Sequence, residues 1–325
     1  MRVFRSLDSI PQDAKSSALS IGNFDGVHEG HKALFRRNLE VARELGLTRS
    51  VLTFDPHPTT IVAPERAPRL LTTIEQRLSL MAEAGIEQAF VMPFDVAFSQ
   101  LDPETFVRQV VVGGAGAKAV LVGDNFRFGA KQAGDVQILR DLGDRFGFRT
   151  EIVSVVPFRG VVVSSSAVRD RILAGNVSAA CRLLGRAYAL EGKVVSGHGI
   201  GSRQTVPTLN LQTTAEVLPL TGVYITRTAD LDSESRLWPS ITNVGYRPTF
   251  DGDALTIETF LLADLERTRS PERIRVAFLR RVRGEQKFES PEALRSQILL
   301  DVTRAKTWFR RVERFSSHRS TRMIV

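Results

Sequence analysis

Cysteine is nearly absent from this chain, whose 325 residues include a single one, Cys181. One cysteine cannot form a disulfide within the chain. It lies in an apolar helical pattern beside Leu183 and Leu184, which favours a buried thiol over a reactive one.

Long apolar runs are absent as well. No stretch is long enough to span a bilayer, and the opening Met-Arg-Val-Phe-Arg-Ser lacks the apolar core of a signal peptide. Internal repeats and low-complexity segments are also missing from the sequence. We therefore expect a cytoplasmic protein without a membrane partner. Its oligomeric state stays open, a homo-oligomer included.

Basic residues outnumber acidic ones, and the net charge is +8. Such an excess fits either a polyanionic partner or small phosphorylated substrates. The densest basic stretch lies near the C-terminus and lacks the interleaved aromatic residues typical of single-strand binding. Its residues are Arg304, Lys306, Arg310, Arg311, Arg314, Arg319 and Arg322. We therefore favour small substrates and expect no nucleic-acid partner.

With 42% hydrophobic residues the chain can bury a sizeable core, and its length fits two domains. In the N-terminal half, short apolar runs alternate with amphipathic patterns, which predicts a doubly wound parallel α/β sheet. Strands are predicted at residues 18 to 23, 50 to 54, 88 to 92, 118 to 123 and 151 to 156. Helices are predicted at residues 31 to 45, 72 to 84, 103 to 112 and 134 to 146. Ligands bind beyond the carboxyl ends of such strands, so those ends are candidate sites.

The first strand end has the most informative sequence, Leu-Ser-Ile-Gly-Asn-Phe-Asp-Gly-Val-His-Glu-Gly-His at residues 19 to 31. Gly22 and Gly26 let the backbone bend and approach a ligand closely. His28 and His31 lie on one face of the predicted first helical turn, where the helix N-terminus already attracts anions. Two exposed histidines or a metal pair are the alternatives, but zinc-binding helices usually place histidines at i and i+4. The pattern favours a phosphate site.

Two other strand ends carry polar residues. After the second predicted strand comes Asp-Pro-His-Pro, whose prolines fix how Asp55 and His57 are presented; a plain exit turn is the alternative. After the fourth comes a loop suited to a nucleotide or a flat ring, with a hydrophobically anchored turn as the alternative. Its candidate residues are Asn125, Phe126, Arg127 and Phe128.

A second helix start suited to anions follows three valines. A helix is predicted at residues 167 to 174, and the three residues before it are Ser164, Ser165 and Ser166. Serine hydroxyls can cap exposed N–H groups, and Arg169 in the predicted first turn can pair with phosphate oxygens. Serine capping beside a solvated arginine is the alternative.

The later half of the chain changes to short alternating segments with turn residues. Strands are predicted at residues 189 to 196, 208 to 212, 221 to 227, 237 to 243, 255 to 262 and 273 to 281. This pattern predicts a small antiparallel six-stranded β-barrel, and residues 290 to 309 predict a C-terminal helix packed on it.

The barrel sequence has its own polar cluster. Thr208 and Asn210 stand two positions apart and therefore share one face of a strand, where their oxygens can bind Mg²⁺. Glu258 is the lone acid in an apolar strand and is either solvent-facing or a poised base. Glycines that can wrap phosphates, or form an ordinary hairpin, are Gly197, Gly199 and Gly201.

These motifs resemble those of a known family. The string Gly-Asn-Phe-Asp-Gly-Val-His-Glu-Gly-His resembles the HxGH signature of the nucleotidyltransferase superfamily, and Val-Ser-Ser-Ser-Ala-Val-Arg resembles its ISSTxIR motif. Pro-Thr-Leu-Asn, Asn-Val-Gly-Tyr-Arg-Pro-Thr-Phe and Arg-Gly-Glu-Gln-Lys-Phe resemble segments of riboflavin kinase domains. Over nearly its whole length the chain resembles bacterial bifunctional riboflavin kinase/FAD synthetases.

The resemblance implies two transferase domains. A Rossmann-like nucleotidyltransferase domain at residues 1–184 would convert FMN to FAD, and a β-barrel at 185–312 would phosphorylate riboflavin; a basic tail would follow at 313–325. It also implies riboflavin, FMN and ATP as substrates and Mg²⁺ as the cofactor.

Roles follow from the resemblance residue by residue. Glu258 would take the proton of the riboflavin 5′-hydroxyl, while Thr208 and Asn210 would bind Mg²⁺. His28, His31 and Arg169 would be the catalytic residues of adenylyl transfer. Phosphate would be bound by Gly22, Phe24, Gly26, His28, His31, Ser164, Ser165, Ser166, Arg169, Gly197, Gly199 and Gly201. Flavin or adenine would contact Asp55, His57, Asn125, Phe126, Arg127 and Phe128.

Some positions depart from the family pattern. Thr205 replaces a loop glycine, Phe260 stands where a histidine is frequent, and residues 266 to 270 replace a Leu-Tyr-Gly turn. These changes favour an alternative, an FMN adenylyltransferase with a kinase-inactive flavin-binding barrel, whereas the retained magnesium and base residues oppose it. A non-enzymatic flavin sensor or nucleic-acid-binding protein would not need the paired motifs. Adenylyl transfer to another mononucleotide would not explain the barrel.

Overall fold

The computed structural model describes residues 1–154, 157, 160, 162–195, 208–233, 236–249, 252–262 and 271–316. The chain divides into two compact units, Met1–Ser165 and Ser166–Val325. None of the helices in the described ranges is both long and apolar enough to cross a membrane.

A parallel sheet of six strands forms the centre of the first unit. The strands are β1 (Arg2–Phe4), β2 (Ser17–Ile21), β3 (Thr48–Asp55), β4 (Gln88–Pro93), β5 (Ala117–Gly123) and β6 (Arg149–Val153). Their order is β1-β4-β3-β2-β5-β6, with every neighbouring pair parallel. Strands β3 and β4 follow β2 towards one edge of the sheet, and β6 follows β5 towards the other, so the strand order reverses between β2 and β5. The carboxyl ends of these two strands are therefore the switch point at which such sheets bind ligands.

Helices cover both faces of this sheet. The helices of this unit are α1 (Glu29–Leu45), α2 (Pro58–Val62), α3 (Ile74–Glu83), α4 (Val96–Ser99), α5 (Pro103–Phe106) and α6 (Val136–Phe146). A π-helical segment spans Val107–Gly114, and 3-10 turns span Leu7–Ser9, Gln12–Ala14, Pro64–Arg66 and Ala130–Gln132. Successive side chains of β2 enter opposite cores, because Ala18 packs with Leu34 and Leu19 packs with Val110.

The five strands and the doubly wound sheet predicted for this half are confirmed. The predicted helix at residues 103 to 112 is instead α5 followed by the π-helical segment. Strand β1 was not predicted, since its three residues are too few to display a period.

The second unit is a closed antiparallel barrel preceded by helices α7 (Ser165–Leu173) and α8 (Val177–Leu184). Its strands are β7 (Tyr188–Val195), β8 (Thr208–Gln212), β9 (Gly222–Asp230), β10 (Leu237–Thr249), β11 (Gly252–Leu261) and β12 (Arg273–Arg283). Helix α9 (Pro291–Ser316) follows. The six-stranded barrel and its C-terminal helix are therefore confirmed.

The barrel interior contains a chain of buried hydroxyl groups. Thr226 Oγ1 lies 2.8 Å from Ser240 Oγ and 2.8 Å from Thr242 Oγ1. Thr242 Oγ1 lies 3.0 Å from Thr259 Oγ1. Each hydroxyl can donate one hydrogen bond and accept others, so these groups can satisfy one another.

The outer face of the same strands packs against α9. Ile225 of β9 and Ile241 of β10 form an apolar cluster with Ala305 and Phe309 of the helix. Phe260 of β11 packs against this cluster. The helix therefore covers the strand face that alternates with the hydroxyl chain.

Cys181 lies on α8 and is half-buried. Its Sγ is 3.4 Å from the carbonyl oxygen of Phe278. Burial raises the pKa of the Cys181 thiol, which disfavours the reactive thiolate.

Candidate active sites

The loop between β2 and α1 is held in a strained backbone conformation. Phe24 has φ +53°, Gly26 has φ +78° and Val27 has φ +39°. A positive φ is unfavourable for residues other than glycine, above all for β-branched Val27, and it persists where the surrounding structure enforces it.

The carboxylate of Asp25 anchors this loop. It accepts hydrogen bonds from the backbone N–H groups of Leu71, at 3.0 Å, and Thr72, at 3.2 Å. The Thr72 hydroxyl lies 3.2 Å from the same carboxylate and 3.0 Å from the Gly26 nitrogen. Asp25 is 3% exposed. Sequence reasoning missed Asp25 and Thr72, because their pairing joins segments far apart in the chain.

The two histidines of the loop stack face to face, with ring centroids 3.6 Å apart and an interplanar angle of 17°. His28 is the N-cap of α1, and its Nδ1 accepts a hydrogen bond from the His31 N–H at 3.3 Å. The prediction that both lie within the first helical turn is therefore wrong for His28, which precedes the helix in extended conformation in order to cap it. The stack nevertheless lies at the N-terminus of α1, where anions bind favourably.

Gly30 is the residue that makes room for this stack. A Cβ at Gly30 would lie 3.1 Å from the His28 ring and 3.4 Å from the carbonyl oxygen of Val163. Sequence reasoning did not select Gly30, although it lies between the two histidines.

The Phe24 ring supports the same site from beneath. It meets the His31 ring edge-on with centroids 5.3 Å apart and contacts Phe35 at 5.0 Å. A Cβ at Gly22 would lie 3.1 Å from the Phe24 ring. Within the described contacts, the absent side chain of Gly22 gives space to Phe24, whereas the prediction was that it lets the backbone approach a ligand.

The end of β3 lies beside the β2 loop. His57 caps α2, since its Nδ1 accepts from the Thr59 N–H at 3.3 Å, while its Nε2 lies 3.1 Å from the side-chain nitrogen of Asn23. Asp55 is exposed and joined to Pro56 by a cis peptide bond. The structure thus brings His57 to the carboxyl-terminal end of the strands, where the stacked histidines also lie.

The loop after β5 is anchored by stacked phenylalanines. The Phe126 and Phe128 rings stack at 5.4 Å, and Phe128 is buried against Phe106 at 5.8 Å. Asn125 is exposed, and Arg127 forms an exposed ion pair with Asp135 at 3.3 Å. Of the four candidates here, Phe128 therefore belongs to the core and the other three reach the surface.

A buried arginine lies near these strand ends. Arg77 of α3 is 2% exposed, and it interacts electrostatically with Asp25 and Asp55. Burial lowers the pKa of the Arg77 guanidinium, and the two carboxylates oppose that shift. The sequence shows no motif that would have selected it.

The serine segment begins α7 earlier than predicted. The helix starts at Ser165, so Ser165 and Ser166 form its beginning while Ser164 precedes it, and Arg169 lies in the second turn, where the prediction placed it in the first. The Ser165 hydroxyl donates to the Asp25 carbonyl oxygen at 2.9 Å. Ser164 and Arg169 are half-buried, and Ser166 is exposed.

The barrel aligns three polar side chains across adjacent strands. In the antiparallel register, Asn210 of β8 stands opposite Glu258 of β11, and Glu258 stands opposite Asn243 of β10. Thr208 and Asn210 share the strand face opposite to that of buried Leu209. Directly opposed residues have Cβ atoms about 4.5–5.5 Å apart, so Asn210, Glu258 and Asn243 form one polar patch, and Thr208 extends it along the same face of β8.

Two further sequence predictions concern metals and phosphates. Within the described ranges, no three His, Cys, Asp or Glu side chains are grouped so as to hold a metal ion. The glycines of the predicted phosphate loop lie outside the described residues, as do Thr205 and residues 266 to 270; they are Gly197, Gly199 and Gly201.

Comparison with known proteins identifies relatives over nearly the full chain. A family model described as FAD synthetase matches residues 10–167, and one described as riboflavin kinase matches residues 184–309. The bifunctional riboflavin kinase/FMN adenylyltransferase of Pseudomonas fluorescens is 35% identical over 94% of this chain and 97% of that protein. The protein of the same name from Escherichia coli (strain K12) is 34% identical over 95% of this chain and 98% of that protein.

A solved structure described as a macrolide-efflux protein from Streptococcus pneumoniae has a TM-score of 0.83 and 27% identity to this chain. The alignment covers 94% of this chain and 98% of that one. The efflux activity named in that description refers to the pneumococcal protein and is not transferred to this chain. With the sheet, the barrel and full-length relatives in agreement, this chain belongs to the family of bifunctional riboflavin kinase/FMN adenylyltransferases.

Proposed function

We propose that this chain phosphorylates riboflavin to FMN in its barrel and adenylylates FMN to FAD in its α/β domain. The observation that carries the proposal is the polar patch of Glu258, Asn210 and Thr208 on a barrel that matches a riboflavin kinase model. The stacked histidines supply the second site, in a segment that matches the FAD synthetase model.

In the kinase reaction, the riboflavin 5′-hydroxyl oxygen attacks the γ-phosphorus of ATP. The bond from that phosphorus to the β,γ-bridging oxygen breaks, and ADP leaves. Glu258 takes the hydroxyl proton, because it is the carboxylate next to the proposed metal ligand Asn210. Such transfer depends mainly on positioning and charge neutralisation.

Mg²⁺ fits the donor set of the patch. Thr208 and Asn210 offer neutral oxygens on one strand face, and hard cations prefer oxygen ligands. Two neutral donors suit an ion whose charge is balanced by ATP phosphates. When bound, Mg²⁺ would neutralise charge on those phosphates. The phosphate-wrapping role of Gly197, Gly199 and Gly201 stays a prediction of the sequence.

In the adenylylation, an FMN phosphate oxygen attacks the α-phosphorus of a second ATP, and pyrophosphate leaves. The protein supplies no nucleophile. His28 and His31, at the N-terminus of α1, stabilise charge on the triphosphate together with the backbone N–H groups there. The strained loop containing Gly22, Phe24 and Gly26 holds the stack in place. Ser164, Ser165, Ser166 and Arg169 receive their phosphate roles from the ISSTxIR resemblance.

The remaining candidates, which follow the carboxyl ends of the strands, would contact flavin or adenine. His57 and Asn125 have polar atoms there, and Phe126 offers a half-buried ring. Asp55 and Arg127 are exposed at the ends of β3 and β5. Phe128 would act indirectly, since it stacks beneath Phe126.

We place the functional boundaries at residues 1–184, 185–312 and 313–325, the last being the basic tail. The cytoplasmic location and the absence of a nucleic-acid or membrane partner stay predictions of the sequence, and the oligomeric state, a homo-oligomer included, stays open. The alternative, an adenylyltransferase with a kinase-inactive barrel, rests on the altered loop at Thr205, which lies outside the described residues. Phe260, another departure from the family pattern, packs towards α9.

The test is to incubate the full chain with riboflavin, ATP and Mg²⁺ and to separate FMN and FAD by chromatography. We expect FAD from riboflavin. Glu258→Gln should lower FMN formation by about 10²- to 10⁴-fold and still convert supplied FMN, whereas His28→Ala should stop at FMN. FAD from supplied FMN alone would establish the kinase-inactive alternative, and no conversion of either flavin would refute the proposal.

A further inference from the structure

A buried ion pair connects the barrel to its C-terminal helix. Arg283 Nε, at the end of β12, lies 2.7 Å from Asp301 Oδ2 on α9, and the two side chains are 14% and 3% exposed. Gln297 donates to Asp301 Oδ1 at 2.9 Å. Both oxygens of the carboxylate are therefore engaged.

Stability alone gives a weak reason for such a pair. Removing two charges from water is costly, and apolar replacements of a buried pair are often equally stable. A buried pair does fix direction, because a guanidinium donates from a planar fork and a carboxylate accepts at two defined oxygens. The geometry around Arg283 shows what is being directed.

Arg283 holds the segment that follows β12. Its Nη1 donates to the carbonyl oxygen of Gly284 at 3.0 Å, and its guanidinium carbon lies 5.7 Å from the centroid of the Phe288 ring. One side chain thus contacts α9 and both ends of segment 284–288.

The Glu285 side chain of segment 284–288 reaches the strand face that carries Glu258. Glu285 Oε1 lies 2.8 Å from the point where a Cβ of Gly245 would stand, and Asn243 Nδ2 lies 3.1 Å from the same point. Asn243 is the register partner of Glu258. Glu285 and Asn243 therefore both lie beside Gly245, which places the segment held by Arg283 near the register partner of the proposed base.

We infer that Asp301 is a positioning residue of the kinase reaction, which through Arg283 fixes segment 284–288 beside Asn243 and Glu258. The inference rests on the proposed kinase function. Asp301 contacts no reacting atom; it sets the wall of the site against which riboflavin is oriented. A shift of that wall by about 1 Å can lower the rate by about 100-fold.

The test compares Asp301→Asn with the full-length wild type, measuring kcat and KM for riboflavin and, separately, adenylylation of supplied FMN. Loss of the charge should lower kinase kcat/KM by about tenfold or more, with adenylylation within about twofold of wild type. Asp301→Glu keeps the charge and should restore part of the kinase activity. Glu191→Gln is the matched control, since it breaks the more exposed Glu191–Arg275 ion pair, at 2.6 Å, in the same barrel; its kinase activity should be unchanged.

A second variant keeps the inference testable if Asp301→Asn does not fold. Arg283→Lys retains the positive charge, but a single ammonium cannot reproduce the fork that reaches both Asp301 and Gly284. It should lower kcat/KM in the same direction. If both variants fold and keep the wild-type kcat and KM while only their unfolding temperatures fall, the pair is structural and the inference is wrong.

Failure of the proposed function would look different. In that case the wild type would not phosphorylate riboflavin, and riboflavin binding, titrated by flavin fluorescence, would become the readout. Weaker binding by Asp301→Asn than by wild type and Glu191→Gln would support the positioning role. Equal binding by all three proteins would overturn it.

Discussion

Glu258 of β11 and Asn210 of β8 stand directly opposite each other in an antiparallel pair, which puts a carboxylate next to a neutral oxygen donor on one barrel face. The two residues come from strands well separated in the chain, so their proximity is a property of the barrel register.

Asn210→Ala should therefore impair metal use more than flavin use. We expect the Mg²⁺ concentration for half-maximal kinase rate to rise by about tenfold, since one of two neutral oxygen donors is lost. A magnesium titration of FMN formation measures this. Gln212→Ala changes a side chain on the same strand face and is the control. An unchanged magnesium requirement in Asn210→Ala would remove it from the metal site.

His28 has two separable roles, as helix cap and as ring. His28→Ala should destabilise the protein by about 1 kcal/mol and abolish adenylylation, because both roles are lost. His28→Asn keeps a capping side chain and should recover most of that stability without recovering activity. Thermal unfolding and FAD formation from FMN separate the two. An active Asn variant would show that capping alone matters.

Gly30→Ala tests the packing of the histidine stack. Its Cβ would be 3.1 Å from the His28 ring, so the ring must shift, and we expect adenylylation to fall by about tenfold or more while kinase activity persists. Gly46→Ala, at the C-terminal cap of the same helix, strains a φ of +65° with open space around it. It should cost about 1–2 kcal/mol in stability and leave both activities intact. Equal adenylylation in the two variants would argue against a tight stack.

Acid should weaken an ion-pair group on β6. Burial raises the pKa of Glu151, but hydrogen bonds from Arg37 and Arg149 outweigh that effect and hold it below its usual value. The folded state then binds the proton less tightly than the unfolded one, so the stabilisation is complete above the unfolded pKa and is lost as pH falls through the folded pKa.

Glu151→Gln should thus lower stability by about 1 kcal/mol at about pH 7, and the difference from wild type should vanish as pH falls below the folded-state pKa of Glu151. Urea denaturation at several pH values measures it. Glu40→Gln removes the more exposed partner of Arg37 and should change little. A difference independent of pH would contradict the ionic explanation.

Local periodicity predicted most of the fold. The rule that parallel sheets bind ligands at the carboxyl ends of their strands predicted which end of the sheet would carry His28, His57 and Asn125. Neither could predict the anchoring of Asp25 by Leu71 and Thr72, or the contact of Arg283 with Asp301, because such pairs exist only once separate segments have packed. The start of α7 was misplaced for a local reason. Two of the three serines predicted to cap the helix, Ser165 and Ser166, lie within it.

The two edge strands of the six-stranded sheet also affect whether copies of this protein aggregate at high concentration. Among the described strands, β1 at one edge is three residues long, and β6 at the other carries charged Arg149 and Glu151. A short edge and a charged edge are both poor templates for strand pairing with another chain. In the barrel, each described strand already has a neighbour on either side. We therefore expect the folded protein to resist aggregation through its sheets at high concentration.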